Sequence, residues 1–217
     1  MTETHVRTRQ PPSLILVTDP AYSDDALVKV IEACAEVLPS GSFGVQLRDK
    51  KRHADSLRAF AMRLRLVTRR GGTWLYVNGD AQLAHDVGAD GVHLGGDAMK
   101  VPAARDISGA HVFVSIAAHS DDAVRAGVRD GANAALVSAI FASPGKAAGR
   151  GVEALRSARA VAPPEFAIYA LGGVDRTNAA ACVQAGATGV AVIRALLLAS
   201  DPAAEARAIH EAMNSRG

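Results

Sequence analysis

The feature that most constrains this chain is the alternation, along its whole length, of short apolar runs with longer amphipathic stretches. The short runs are rich in β-branched residues and have the length of buried strands, while the stretches between them have the apolar spacing of helices. Strands that alternate with helices in this way form a parallel sheet covered by helices. Eight strands are predicted, at residues 14–18, 43–48, 73–77, 91–93, 111–115, 134–138, 166–170 and 189–193.

A weak internal repeat supports the same architecture. Residues 87–92, 130–135 and 184–190 each end a helical stretch at a glycine and then enter a predicted strand. Glycine is favoured there because it adopts the left-handed conformation at a helix carboxyl end. About eight such units in 217 residues predict a single (β/α)8 TIM barrel of the α/β class at residues 13–217, preceded by a flexible tail at residues 1–12. An open doubly wound sheet is the alternative.

Composition and charge exclude several classes of protein. The formal net charge is +2 and the basic residues are scattered, so neither nucleic acid nor a membrane surface is indicated as a partner. No apolar run has the length of roughly 18 to 20 residues that a membrane span needs. Cys34 and Cys182 lie far apart without a Cys-x-x-Cys motif, which indicates neither disulfides nor zinc and favours a reducing cytoplasm. The oligomeric state stays open, a homo-oligomer included.

Polar residues close most of the predicted strands. In a (β/α)8 barrel the active site lies at the carboxyl ends of the strands, so these residues are the first candidates for substrate contacts. Their position along the strands, rather than any single side chain, carries this prediction. The candidates for substrate binding are Gln46, Arg48, Lys50, Asn78, His93, Ser115, Ser143 and Lys146.

The loops after the last two strands predict a phosphate site. Gly172 and Gly173 follow the seventh strand and allow the backbone to approach an anion closely, and Ile193 and Arg194 follow the eighth. The loops after these two strands form the recurrent phosphate site of such barrels. The glycine pair alone could also serve only to make a turn, and Arg194 could either add a cation to the site or point into solvent.

The same residues carry a resemblance to a known family. The segments at residues 45–50 (Val-Gln-Leu-Arg-Asp-Lys), 88–95 (Gly-Ala-Asp-Gly-Val-His-Leu-Gly), 171–174 (Leu-Gly-Gly-Val) and 189–193 (Gly-Val-Ala-Val-Ile), together with Asn78, occur in order and at similar spacing. They resemble the thiamin phosphate synthase and thiazole tautomerase (TenI-like) superfamily, from Leu14 to about Pro202. The resemblance implies a (β/α)8 barrel with a site for a thiazole phosphate, the precursor of the thiazolium half of thiamin.

The synthase branch of this superfamily joins the thiazole phosphate to hydroxymethylpyrimidine diphosphate with the help of Mg²⁺. The chain departs from that branch where synthases carry their metal carboxylates, with Gly79 in an Asn-Gly-Asp sequence and Ala98 after the fourth strand. Asp80 and Asp97 are the remaining, weak candidates for metal ligands. The synthase clamp Thr-x-Thr-Lys reads Ser-Pro-Gly-Lys at residues 143–146. The resemblance therefore implies no bound metal, unless these displaced carboxylates hold Mg²⁺.

Other residues resemble the tautomerase branch. Asn78-Gly79, His119-Ser120 and the Gly-Arg-Gly-Val sequence at residues 149–152 are similar to its motifs. Tautomerisation of a carboxythiazole phosphate moves a proton, which needs a general acid or base near neutrality and no metal, and a histidine suits that role. By resemblance, His119 is the catalytic residue.

Three functional hypotheses follow, in this order. The first is a metal-independent thiazole tautomerase without a cofactor, and the second is a divergent thiamin phosphate synthase that uses Mg²⁺. The third belongs to another class, a non-catalytic protein that binds or senses a phosphorylated metabolite. The altered clamp and Arg194, which stands where synthases have a serine, motivate this third hypothesis.

Overall fold

The computed structural model describes residues 10–96, 99–142 and 148–215, and its strands form one closed barrel. All neighbouring strands are parallel, and β1 pairs with β8 as well as with β2. The strands are β1 (Leu14–Val17), β2 (Phe43–Leu47), β3 (Trp74–Asn78), β4 (Gly91–Leu94), β5 (Phe113–Ala118), β6 (Ala134–Ser138), β7 (Ala167–Leu171) and β8 (Gly189–Val192). The (β/α)8 barrel is confirmed, because an open sheet would leave β1 and β8 unpaired.

Helices follow the strands and pack around the outside of the barrel. They are α1 (Asp24–Val37), α2 (Ala54–Arg70), α3 (Ala81–Asp86), α4 (Val101–Ser108), α5 (Asp121–Arg129), α6 (Glu153–Val161), α7 (Ala179–Gln184), α8 (Arg194–Leu197) and α9 (Pro202–Asn214). Apolar side chains on the outer face of the strands and the inner face of the helices form the main core. Within the described part of the chain, no helix combines the length and the apolar composition that a membrane crossing requires.

Aromatic rings fill the half of the barrel interior at the amino ends of the strands, which we call the lower half. Trp74 stacks on Tyr76 with their ring centres 5.8 Å apart, and Phe113 meets both rings edge-on. Glycines on the neighbouring strands make room for these rings: a Cβ atom on Gly91 would lie 2.5 Å from the Tyr76 ring, and one on Gly44 would lie 3.2 Å from it. The interior is therefore a packed core at this end, and space for a ligand remains only towards the other end.

The lower end of the barrel is closed by the residues that precede β1. The hydroxyl group of Tyr169, inside the barrel, donates a hydrogen bond to the carbonyl oxygen of Pro12 at 2.8 Å, and Pro12 is buried. The sequence-based boundary places Pro12 in a flexible tail, whereas this residue is buried and hydrogen-bonded in the structure. Residues 1–9 of the predicted tail lie outside the described residues.

The fifth strand differs most from its sequence-based prediction. It runs from Phe113 to Ala118 instead of over residues 111–115, whereas the bounds of the other strands lie within one residue of the prediction. The guanidinium group of Arg105 binds the carbonyl oxygens of Ala110 and Val112, which holds the segment around His111 in a turn. As a consequence Ser115 lies inside β5, and His119 directly follows the strand.

The aromatic packing predicts that Gly91 tolerates no side chain. Gly91→Ala is expected to destabilise the protein by about 1–3 kcal/mol, because the new methyl group would overlap the Tyr76 ring and the Phe113 carbonyl oxygen, 2.5 and 2.6 Å away. Gly96→Ala is the matched control, since no atom of the described residues lies within 4 Å of a Cβ atom there. Denaturant unfolding measures the free energy of unfolding of both variants. Equal stability of the two variants would contradict the packing described.

Candidate functional site

A cleft of about 870 Å³ opens at the carboxyl ends of the strands. It is lined by the residues that follow β1, β2, β5, β6, β7 and β8. The sequence-predicted residues that the structure brings together here are Arg48, His119, Gly172, Gly173, Ile193 and Arg194. The size of the cleft lies in the range of sites for small organic ligands.

The glycine pair after β7 forms one wall of the cleft. Gly172 and Gly173 have φ values of 101° and 64°, in the left-handed region that favours glycine. A Cβ atom on Gly172 would lie 2.8 Å from the Cβ atom of Ala139, and one on Gly173 would lie 2.6 Å from the carbonyl oxygen of Ala142. Both absent Cβ atoms would meet the loop after β6, so glycine allows the two loops to pack closely here. The glycines are required for the turn as well as for any approach of an anion, so their role in phosphate binding stays a prediction.

Arg48 supplies a cation to the cleft from β2, three strands away from β7 around the barrel. The Thr18 hydroxyl group fixes its backbone with two hydrogen bonds. The hydroxyl group accepts one from the Arg48 amide at 2.8 Å and donates the other to the Arg48 carbonyl oxygen at 3.3 Å. Thr18 is itself buried, which makes these hydrogen bonds stable against competition from water. Lys50 is exposed at the tip of the same loop and is outside the described lining of the cleft.

Four predicted substrate-binding residues form a polar layer at the upper ends of β2 to β5. Gln46, His93 and Ser115 are buried, while Asn78 is half-buried. The amide group of Asn78 donates to the side-chain oxygen of Gln46 at 3.3 Å, and Nδ1 of His93 lies 3.0 Å from the hydroxyl oxygen of Ser115. These buried polar groups are hydrogen-bonded to one another, as buried polar groups in proteins generally are. The layer of uncharged groups lies between the aromatic core and the upper end of the barrel, where the strands have their carboxyl ends.

His93 is neutral at physiological pH. Burial lowers its pKa from 6.5 to about 4, and the positive charge of Arg48 acts in the same direction. The imidazole is therefore a hydrogen-bonding group of this layer rather than a charge.

His119 follows β5 at the mouth of the barrel, where its side chain is exposed to the cleft. Its Nδ1 atom lies 3.0 Å from the carbonyl oxygen of Ser138. Because a carbonyl oxygen can only accept a hydrogen bond, this contact favours the tautomer with its proton on Nδ1 and its lone pair on Nε2. This tautomer leaves Nε2 able to accept a proton from a ligand.

The described residues form no ready-made cluster of metal ligands. Asp80, one of the two weak candidates, has a structural role: its side chain accepts a hydrogen bond from the Leu83 amide at 2.8 Å and caps α3. Within residues 10–96, 99–142 and 148–215 there is no group of three or more acidic, histidine or cysteine side chains that could hold a metal. The other candidate, Asp97, lies outside the described residues, as do Ser143 and Lys146 of the predicted clamp.

Three polar residues of the cleft were missed by the sequence analysis, namely Asp19, Ser138 and Asp175. Asp19 follows β1, and the rule used for the other strand ends would have found it. Ser138 is the last residue of β6 and could have been found in the same way. Asp175 comes two residues after the glycine pair and accepts hydrogen bonds from the Thr177 amide and hydroxyl group, a local turn for which strand position gives no signal.

These features define the class of the protein: it is a (β/α)8 barrel with a small-molecule cleft in the position where such barrels have their active sites. Comparison with known proteins adds the family. A sequence profile described as thiamine monophosphate synthase matches residues 14–196. The chain belongs to this family, which confirms the resemblance seen in its strand-end motifs.

Two relatives of similar sequence are named thiamine-phosphate synthases. The chain is 39% identical over 194 residues to the thiamine-phosphate synthase of Gloeobacter violaceus, a match that covers 87% of this chain and 54% of that protein. It is 38% identical over 198 residues to the thiamine-phosphate synthase of Chloroflexus aurantiacus, with 89% of each protein covered. The chain thus spans about half the length of the first relative and most of the second.

Solved structures share the fold at lower sequence identity. The thiamine phosphate pyrophosphorylase of Pyrococcus furiosus superposes with a TM-score of 0.81 at 24% identity, over 92% of this chain and 94% of that one. The orotidine 5'-phosphate decarboxylase of Pyrococcus horikoshii gives 0.70 at 16% identity, over 93% and 100%. At these identities the likeness shows the fold alone.

The burial of His93 predicts a defined loss of stability in acid. The unfolded chain binds a proton at this residue below pH 6.5, whereas the folded protein resists protonation until about pH 4. The free energy of unfolding should therefore fall as the pH drops through this window, by at most about 3 kcal/mol from this residue. His93→Gln lacks the titration and should lose less stability over the same window. Denaturant unfolding at several pH values measures the difference, and identical pH profiles would contradict a neutral buried imidazole.

Proposed function

We propose that this chain binds a thiazole phosphate in the cleft and joins it to hydroxymethylpyrimidine diphosphate, forming thiamin phosphate. The residues at positions 79 and 98 rank the tautomerase hypothesis first when the sequence is considered alone. The relatives at 39% and 38% identity are named thiamine-phosphate synthases, and these names favour the synthase alternative instead. The family profile is likewise described as thiamine monophosphate synthase, which supports the same alternative.

The observation that carries the proposal is the presence of two separate features suited to anions in one large cleft. The backbone of Gly172 and Gly173 lies on one wall, and Arg48 lines the cleft from a strand three places away. Exposed backbone amides and an arginine fork are both suited to phosphate oxygens. A reaction between a phosphate ester and a diphosphate ester needs two such places, and about 870 Å³ provides room for two small heterocycles.

The described residues suggest how the chain would assist this transfer. The ring nitrogen of the thiazole forms a bond to the methylene carbon of the pyrimidine, the bond from that carbon to the diphosphate oxygen breaks, and the diphosphate departs with both bonding electrons. Arg48 would hold the diphosphate and stabilise the negative charge that develops on it. The neutral layer of Gln46 and Asn78 would offer amide groups to the pyrimidine without adding charge. Each of these roles belongs to a residue of the chain itself, and no step is assigned to a metal.

Formation of thiamin phosphate from the two substrates, measured with and without Mg²⁺, tests the proposal. Arg48→Gln is expected to lower the rate by about a hundredfold or more, since it removes the cation next to the leaving group. Arg58→Gln is the matched control: Arg58, on α2, pairs with Asp86 at the end of α3 and is outside the described lining of the cleft, so its loss should leave turnover unchanged. No product under any condition from a protein that does not bind the pyrimidine diphosphate would exclude the synthase reaction.

A thiazole tautomerase is the second candidate, and the tautomer of His119 favours it. With Nδ1 donating to the Ser138 carbonyl oxygen, Nε2 can take a proton from one ligand atom and return it to another, which is the whole chemistry that an isomerisation of the thiazole needs. Gly79 and Ala98, where synthases carry carboxylates, point in the same direction.

Conversion of the carboxythiazole phosphate to its aromatic isomer tests this second candidate. His119→Asn should slow the conversion by roughly a hundredfold to ten-thousandfold while leaving affinity for the ligand nearly intact. His85→Asn, at an exposed histidine of α3, is the control and should have no effect. Affinity for the thiazole phosphate without any turnover in either assay would favour the non-catalytic binding protein.

A further inference from the structure

An arginine outside the cleft joins the loop that carries Arg48 to the start of α1. The guanidinium group of Arg52 binds both carboxylate oxygens of Asp24, the first residue of α1, at 2.7 and 3.0 Å. Its Nε atom donates to Asp49 at 2.9 Å. The same guanidinium lies over the ring of Phe60 on α2, 4.8 Å from the ring centre. We call the three charged residues Asp24, Asp49 and Arg52 the Arg52 clamp.

The Arg52 clamp is better shielded than an ordinary surface ion pair. The side chains of Arg52 and Asp49 are 19% and 8% exposed, and that of Asp24 is 35% exposed. A bidentate arginine–carboxylate pair in such surroundings has a defined geometry, whereas most exposed pairs do not. Burial raises the pKa of Asp49, but hydrogen bonds from the amides of Lys51 and Arg52 and from the Arg52 side chain outweigh it and hold that pKa below its usual value.

The Arg52 clamp fixes the loop that carries the cations of the site. The Asp49 carboxylate accepts from the Lys51 and Arg52 amides, both at 3.1 Å, and so holds the turn directly after Arg48. On the other side of the loop, Thr18 holds the amide and carbonyl groups of Arg48. The Arg48 backbone is therefore restrained from both directions, and Lys50 lies at the tip of the restrained turn.

We propose that Arg52 is a positioning residue, which sets the Arg48 guanidinium at the cleft for binding a diphosphate by clamping Asp49 to the start of α1. This inference rests on the proposed function for the identity of the anion, although its geometry does not depend on the reaction. Arg52 would touch no substrate and would act only through the backbone of residues 48–51. Its loss should therefore weaken binding at the Arg48 wall and spare the wall formed by Gly172 and Gly173.

Calorimetric titration of the full chain with inorganic diphosphate, and separately with the thiazole phosphate, tests this role. Arg52→Gln is expected to weaken diphosphate binding by about tenfold, the equivalent of one lost charge-assisted hydrogen bond. Affinity for the thiazole phosphate should stay within about twofold, since a purely structural defect would lower both affinities together. In turnover, the KM for the pyrimidine diphosphate should rise while kcat changes less. Arg52→Lys, a milder change, should retain part of the defect, because an ammonium group cannot bridge both carboxylates in the same fork.

Arg63→Gln is the matched control. Arg63, on α2, also pairs with the start of α1, through Asp25 at 2.6 Å, but both side chains of this pair are exposed and both belong to helices outside the loop. This variant should bind both ligands as the wild type does.

Diphosphate binding by Arg52→Gln and Arg52→Lys at the wild-type affinity would overturn the positioning role. A wild type that binds diphosphate without forming thiamin phosphate would instead refute the proposed function and leave the calorimetric test of the clamp valid. A wild type that binds no diphosphate would overturn both.

Discussion

The backbone pairing between the first and last strands is the constraint on which the rest of this structure depends. Leu14, Ile15 and Leu16 of β1 lie opposite Val190, Ala191 and Val192 of β8, and this contact closes the sheet. Closure leaves no unpaired edge, and because every strand is parallel it brings all eight carboxyl ends to the same mouth. Residues as distant in sequence as Asp19, His119 and Arg194 line one cleft only for this reason.

Closure also divides the interior into two ends with different chemistry. The rings of Trp74, Tyr76 and Phe113 fill the lower half and leave no room for a ligand there. Above them, buried hydrogen-bonded groups such as the His93–Ser115 pair replace apolar side chains. Burying polar groups costs free energy unless they are paired, and here the pairing within the layer offsets that cost. The aromatic core therefore supports an upper end at which polar side chains can be displayed.

Charge is kept at the rim of this polar layer, where it can meet an anion. Burial and the nearby Arg48 hold His93 neutral, whereas Arg48 itself stands in the cleft with its backbone restrained by Thr18. The two acidic residues of the cleft, Asp19 and Asp175, each accept hydrogen bonds within a local turn. A cation that is held in place by neighbours outside the cleft is a general way to prepare a site for a phosphate group before the ligand arrives.

The sequence by itself determined the barrel, the family and most of the strand ends that line the cleft, through its apolar periodicity and its strand-end motifs. This was possible because strand and helix periodicity is local, and because strand position alone predicts the placement of Arg48 and of Gly172 and Gly173. Only the tertiary structure decided the course of β5, since the restraint on its start comes from Arg105 on another element. It also decided that Asp80 caps a helix, that Pro12 seals the barrel, and that Arg52 reaches Asp24. Each of these depends on a contact that forms only when the barrel closes and its helices pack. The order of residues along the chain does not specify such distances.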